Sequence, residues 1–456
     1  MEIIYINKTL KEIQADLEIV LLKESKYLKV NDMFLKGKKL YIKIPNYKFY
    51  TITEIITNVI KHINKVNKYK SIKIALYGIT NKKIQALIDG LLLGSYDFVR
   101  YKNKKIRMNL KEIFIANENY QEIKFSYEEI KSKIDNYIII NKNINLAREI
   151  INSVAEDTTP EKISIWIKEE LKNTNIECLI KDNDYIRTEL PAFYDISKGS
   201  INQPNLVHLK YNENKGLKKF VLIGKGVTFD TGGISLKPSE YMYDMKLDKA
   251  GAITIFGIIR SITELRLPIE IHAILGFSEN MISNNAYKPG DVIKTRNSKT
   301  IEIMNTDAEG RLTLVDAVHY IINNEKASNV IDVATLTGAA LVALGTTTTA
   351  ALSNNDDFYN KIDAAAKLSD ERIWRLPNFP EYGKLIESKI ADLKNTGGRY
   401  AGTITAGMFI EKFVGETPWI HLDIAGSSWA DAPYDFYTLG GTGQMVKTLF
   451  NFVKNY

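Results

Sequence analysis

The 456-residue chain holds 61 Lys and Arg against 54 Asp and Glu, a formal net charge of +7, with 45% hydrophobic residues, 27 Gly and 11 Pro. That length allows two domains with separate cores, and the composition excludes collagen-like, disordered and disulfide-built chains. The lone Cys178 rules out an internal disulfide and suits a reducing compartment, so a cytoplasmic protein is expected.

The N-terminus, "MEIIYINKTLKEIQADLEIV", lacks a basic patch followed by an apolar run, so no signal peptide is expected. No apolar run reaches the ~18–20 residues of a membrane span. The first third then alternates strand-like and helix-like stretches. "EIVLLK" (18–23), "KLYIKI" (39–44) and "SIKIALYG" (71–78) read as strands, and "ITEIITNVIKHINKV" (52–66) and "NKKIQALIDGLLLGSYDF" (81–98) as helices. A long helical pattern over 126–154 joins this unit to the rest. "DTTPEKISIWIKEEL" (157–171) opens another helix, with Thr159 placed to cap it and Pro160 at its first position.

Four apolar runs follow, each ending in a Gly- or Asp-bearing turn: 220–226, 269–277, 329–338 and 419–426. Runs apolar on both faces, with helices between them, predict a mostly parallel central sheet. The expected fold is α/β: a small N-terminal α/β domain over 1–125, a linking helix over 126–155, and a larger domain over 156–456. In such sheets ligands bind beyond the carboxyl ends of the strands.

Charge divides along the same line. Residues 1–150 carry 28 Lys and Arg against 16 Asp and Glu, net +12, whereas the remainder is net −5. A basic first third fits nucleic-acid binding, or more simply a lysine-rich vocabulary at exposed positions. No RNP, zinc-finger or helix-turn-helix signature favours the first reading.

The polar residues gather at the ends of the apolar runs. "GKGVTFDTGGISLKPS" (224–239) supplies Lys225, Asp230 and Lys237, and Asp248 opens the helix behind it. It is no phosphate loop, since GxxxxGK[ST] is absent and the third glycine of GxGxxG is missing. "NTDAEGRL" (305–312) supplies Asp307, Glu309 and Arg311. An Asp-x-Glu at a helix start is ordinarily a cap, and a lone lysine ordinarily a solvated charge. Gathered together, though, four carboxylates would repel, and burial would return protons to them. Two divalent cations resolve this. His62, His208, His272, His319 and His421 are scattered, without HExxH, and His272 and His421 fall inside apolar runs suited to core histidines. Carboxylate-rich ligation suits a two-metal hydrolytic site, its ions ~3.5–4 Å apart.

These stretches, with "MKLDKAGA" (245–252), resemble the leucyl aminopeptidase family of two-metal exopeptidases, whose signature octapeptide is NTDAEGRL; all eight positions match. The likeness runs from about residue 145 to the C-terminus, through "NTGGRYAGTITAGMFIEKFV", "WIHLDIAG" and "GGTGQMVKTL", while the first third is expected to match in architecture only. Near "NSVAEDTTPEKI" the family's usual Pro and Asn before the TP pair are missing. The resemblance implies that Asp230 and Glu309 bridge both metals, Asp248 and Lys225 complete the tighter site, and Asp307 completes the exchangeable one. It further implies that Lys237 polarises the scissile carbonyl and that Arg311 holds a bicarbonate serving as general base. Lys225 must then be a neutral amine, its pKa lowered from ~10.4, whereas Lys237 must stay protonated. The implied substrates are short peptides with a free N-terminus, and the implied assembly is a homohexamer of two trimers. Met245 and "ATLTG" (334–338) resemble pocket-lining positions. The pocket residues do not give the preferred N-terminal residue, and carboxylate ligands suit Zn and Mn alike.

Overall fold

The computed structural model describes residues 1–22, 29, 32–43, 49–76, 81–103, 109–118, 125–213, 219–433 and 437–455. The chain divides into two units, residues 1–145 with 431–439 and residues 146–430 with 440–456.

The first unit is built on strands β1 (Glu2–Ile6), β2 (Leu17–Leu22), β3 (Met33–Lys36), β4 (Lys39–Lys43), β5 (Ser71–Ala75) and β6 (Glu112–Ala116). They form one sheet in the order β1-β6-β5-β2-β4-β3, with only the β3–β4 pair antiparallel. Period-2 alternation sends Leu17, Ile19, Leu40, Ile42, Ile72, Ile74, Ile113 and Ile115 into the core. There they meet the apolar stripe of α1 (Phe49–Val66), including Ile52, Ile56, Ile60 and Ile63. Lys23, Ile44, Tyr77 and Gly78, expected at the ends of three strands, lie outside the described residues.

Helix α2 spans Asn81–Leu92, shorter than the 81–98 predicted. The Ser95 hydroxyl donates to the Leu92 carbonyl at 2.9 Å and caps the last turn, so the apolar residues beyond it leave the helix. The long helix α3 runs Tyr127–Asn152. Its start is a capping box: Ser126 Oγ accepts from Glu129 N at 3.2 Å, and Glu129 Oε2 accepts from Ser126 N at 2.7 Å.

The second unit opens with α4 (Pro160–Glu170), where Thr159 Oγ1 accepts from Lys162 N as predicted. Its strands are β7 (Glu177–Lys181), β8 (Asn205–Asn212), β9 (Phe220–Asp230), β10 (Glu270–Asn280), β11 (Val292–Lys294), β12 (Thr300–Glu302), β13 (Asn329–Ala334), β14 (Thr348–Ser353), β15 (Arg372–Arg375), β16 (Leu393–Lys394), β17 (Trp419–Asp423) and the short pair β18 (Trp429–Ala430) and β19 (Gly440–Gly441). Eight form a sheet in the order β15-β14-β17-β13-β9-β10-β8-β7, and β11, β12 and β16 form a small separate one. The four predicted apolar runs are its central strands β17, β13, β9 and β10, all mutually parallel. The flanking strands β8 and β14 join them antiparallel. Helices α5 (Asn183–Glu189), α6 (Pro191–Ser197), α7 (Ser239–Met242), α8 (Ala250–Glu264) and α9 (Gly310–Glu325) fall between strands.

All four central strands depart from their predicted lengths, with β10 running on to Asn280 and β17 stopping at Asp423. β9 continues past the apolar run to Asp230, because β10 pairs with it as far as Asn280 across a bulge at Ser278 and Glu279. β13 stops at Ala334 rather than 338, because Thr337 turns the chain into a helix by accepting from Ala340 N at 3.1 Å. In the sheet interior His421 Nδ1 lies 2.5 Å from Asp332 Oδ1, and Trp419 Nε1 donates to Asp332 Oδ2 at 2.6 Å. Burial alone would lower the His421 pKa, and the Asp332 carboxylate more than offsets it. His421 is therefore a satisfied core histidine on that side of its ring. No helix among the described residues is long and apolar enough to cross a membrane.

Candidate metal centre

The carboxyl ends of β9, β10 and β13 converge on the N-terminus of α9, and the candidate residues are carried there by different elements. Lys225 lies within β9 and Asp230 closes it. Asp248 sits in the short 3-10 turn Met245–Lys249 before α8, Asp307 and Glu309 immediately precede α9, and Arg311 lies in its first turn. Asp230, Asp307 and Glu309 each place a carboxylate oxygen within 4.8 Å of the other two. Asp248 joins them through Lys225, whose Nζ lies 2.7 Å from Asp248 Oδ1 and 2.8 Å from Glu309 Oε1. Lys237 joins from the loop after β9, with Nζ 2.9 Å from Asp230 Oδ2 and in contact with Asp307 Oδ1.

Two glycines permit this crowding. Gly232 has φ +84°, and a Cβ there would stand 2.7 Å from Asp307 Oδ1. A Cβ on Gly310 would stand 2.7 Å from Lys225 Cε and 2.8 Å from its Nζ. Gly310→Ala should therefore displace the Lys225 amine while α9 keeps its backbone. The expected outcome is weaker metal retention through gel filtration with an unchanged circular dichroism spectrum. Full retention would mean that Lys225 Nζ need not stand where it does.

Electrostatics mark the cluster as short of cations. Burial first, then the neighbouring carboxylates, pushes Glu309 up to about 7 and Asp307 up to about 6 despite the two lysines. Burial alone would push Lys225 down, but Asp248, Glu309 and Asp230 hold it above its ordinary value. The same balance, set by Asp230, Glu309 and Asp307, holds Lys237 up. Asp248 Oδ2 is buried without a hydrogen-bond partner among the described residues, an orphaned carboxylate oxygen of the kind a cation satisfies. The donor set of oxygen ligands and one amine therefore fits divalent metal ions.

Arg311 lies apart from the acids. Its Nη1 donates to the Asn395 carbonyl at 2.8 Å and its Nε is buried without a partner among the described residues. Burial pulls it down to about 10, opposed by Glu309 and Asp423.

Three residues outside the predicted set hold the others in place. Thr335 Oγ1 donates to Asp248 Oδ1 at 2.7 Å and its carbonyl accepts from Lys225 Nζ at 2.8 Å. Asn280 Nδ2 donates to Asp230 Oδ1 at 2.8 Å and to the Thr306 carbonyl at 3.0 Å. Asn395 Oδ1 accepts from Met304 N at 2.8 Å and its Nδ2 donates to the Asn305 carbonyl at 2.6 Å, latching the 305–312 loop. Thr335 lies in the "ATLTG" stretch read as pocket lining, and Asn395 opens "NTGGRY". Asn280 had one signal, a polar residue closing an apolar run. The fold also brings together two histidines that look scattered in the sequence: His208 Nε2 and His272 Nδ1 stand 3.0 Å apart on β8 and β10.

Residues 145–450 match the catalytic domain of the cytosol aminopeptidase family. A probable cytosol aminopeptidase of Clostridium perfringens is 42% identical over 400 residues, covering 86% of this chain and 80% of that protein. One from Campylobacter jejuni is 36% identical over 471 residues, covering 98% and 97%. The second alignment takes in the first third of the chain, so the likeness there extends to sequence and is not confined to architecture. Among solved structures, the bottromycin maturation enzyme BotP in complex with Mn superposes with a TM-score of 0.87 at 26% identity, covering 97% of this chain and 99% of that one. The chain thus belongs to the cytosol aminopeptidase family, and is a hydrolase of the leucyl type, a metal-dependent aminopeptidase.

Proposed function

We propose that the chain removes the N-terminal residue from short peptides at a centre holding two divalent ions, Zn or Mn. Asp230 and Glu309 would hold both ions, with Asp248 and Lys225 completing a tighter site and Asp307 an exchangeable one. The observation that carries this reading is the convergence of Asp230, Asp307 and Glu309 within 4.8 Å, tied to Asp248 by Lys225. Mn has support from the similar BotP, which is described in complex with it.

When bound, the ions would supply Lewis acidity and bring the pKa of a shared water near ~7. The chain's own residues do the rest. Cations on the carboxylates would remove the charge that keeps Lys225 protonated, leaving burial to favour its neutral amine. Lys237, held protonated beside the acids, donates to the scissile carbonyl oxygen as negative charge develops there. Arg311 would hold bicarbonate, which would supply the general base that the candidate residues, lacking a histidine, do not. A free α-amine offers a lone pair that a bound ion could accept, whereas an N-acetylated end offers none, so only unblocked N-termini would be processed.

Chelation should abolish hydrolysis of an aminoacyl amide panel, and added Mn or Zn should restore it. Turnover of N-acetylated peptides, or robust turnover by metal-free protein, would refute the reading. The resemblance also carries an assembly, a homohexamer; light scattering of the full chain should give six times the 51.8 kDa chain mass. A monomer at micromolar concentration would remove that part of the proposal. DNA binding through the basic first third has no supporting motif and is not part of it.

A further inference from the structure

We propose that His208, His272 and Glu325 form a second cation site, for a divalent ion that favours imidazole ligands such as Zn, Ni or Cu. It is distinct from the candidate metal centre, lying at the opposite end of α9. Glu309 immediately precedes that helix and Glu325 closes it; 16 residues at ~1.5 Å each put roughly 24 Å between the two ends.

The site is assembled by sheet register. In the antiparallel β8–β10 pair His272 faces Lys210 and His208 faces Ile274, which sets the two rings diagonally on one face. His208 Nε2 and His272 Nδ1 stand 3.0 Å apart, and His272 Nδ1 lies 3.6 Å from a Glu325 oxygen. All three ligand atoms fall within 4.8 Å of one another. Two nitrogens each ~2.0–2.1 Å from a tetrahedral zinc are roughly 3.3 Å apart, so little movement is needed. The other nitrogen of His272, Nε2, lies 3.6 Å from Glu270 Oε1. A carboxylate behind a ligating imidazole orients the ring and strengthens it as a ligand.

A plain hydrogen bond between neutral rings also accounts for the 3.0 Å contact. It leaves His208 Nδ1 buried without a partner among the described residues, and gives Glu325 no role toward the pair. Glu325 is at present shared by two lysines, with Lys210 Nζ 2.8 Å from one oxygen and Lys219 Nζ 3.6 Å from the other. Those ammonium groups show that the position attracts cations. Their side chains are 27% and 23% exposed, so both can turn to water and yield a weak pair. Burial also lowers both histidines, keeping them neutral as ligation requires. An ion held here would fasten the β8–β10 edge to the helix whose other end presents Glu309 and Arg311.

The candidate metal centre contains no histidine, which gives the test its signature. The full chain is titrated with Cu(II) and read by electron spin-echo modulation from the remote imidazole nitrogen. Wild type should bind one more Cu per chain than His272→Gln and show an imidazole modulation that the variant loses. Glu270→Gln, which removes the carboxylate behind the ring and with it the 3.2 Å partner of Lys219, should weaken Cu binding by about 10–100-fold. Absence of the modulation in wild type overturns the proposal, as does its persistence in His272→Gln. If His272→Gln fails to fold, the wild-type spectrum and Glu270→Gln still decide, and unchanged affinity in Glu270→Gln counts against the site.

Discussion

Replacing Glu309 by alanine should strip the metal centre and take hydrolysis below detection, a larger loss than Asp307→Ala causes. Glu309 is 2% exposed, inside the acid trio and 2.8 Å from Lys225 Nζ. Without its carboxylate, Lys225 keeps Asp248 as its close anionic partner, and the link between Asp248 and the trio is cut. The side chain of Asp307 is 33% exposed at the rim and pairs with Lys237, so its loss leaves the Lys225–Asp248–Glu309 line intact. Metal content per chain after gel filtration should therefore fall in both variants and further in Glu309→Ala. The accompanying drop in kcat/KM should exceed the ~10²–10³ that loss of a single oxyanion donor costs, because the nucleophilic water is lost with the ions. Equal metal content in the two variants would refute the bridging role of Glu309.

The sequence made this trio visible because its residues are packed into short stretches beside strongly apolar runs. Burial on both faces writes β9, β10, β13 and β17 as continuous apolar segments, and the rule that sites lie at strand carboxyl ends then points at Asp230 and the 305–312 loop. Other contacts depend on register, which local pattern does not encode. Asn280 reaches Asp230 because a bulge at Ser278 and Glu279 lengthens the β9–β10 pairing. Thr335 meets Asp248 because β13 ends one residue earlier, at Ala334. The same blindness hid the His208–His272 pair, whose members are 64 residues apart and meet through an antiparallel register. In the first unit, segment 431–439 groups with residues 1–145, a return of the chain that no composition shift announces.

Lys237→Ala should lower kcat by ~10²–10³ while metal content stays at the wild-type level. Two effects on the metal have opposite signs, one of charge and one of loop position. The lysine competes with ions for the acids, standing 2.9 Å from Asp230 Oδ2 and against Asp307, so its removal should if anything strengthen metal binding. A role in holding the loop would instead weaken it, but the backbone there is fixed independently. Lys237 N donates to the Thr231 carbonyl at 3.0 Å, Ser235 N to Thr306 Oγ1 at 2.8 Å, and Thr306 Oγ1 to the Gly232 carbonyl at 2.6 Å. None of these bonds uses the lysine side chain. What the variant loses is a cation that Asp230, Glu309 and Asp307 hold protonated against burial, the one the proposed mechanism sets against charge developing on the substrate. The loss should fall on kcat more than on KM, since that charge is absent from the bound ground state. Loss of metal with unchanged kcat in metal-saturated protein would reverse the assignment and make Lys237 a structural counter-ion of the acids.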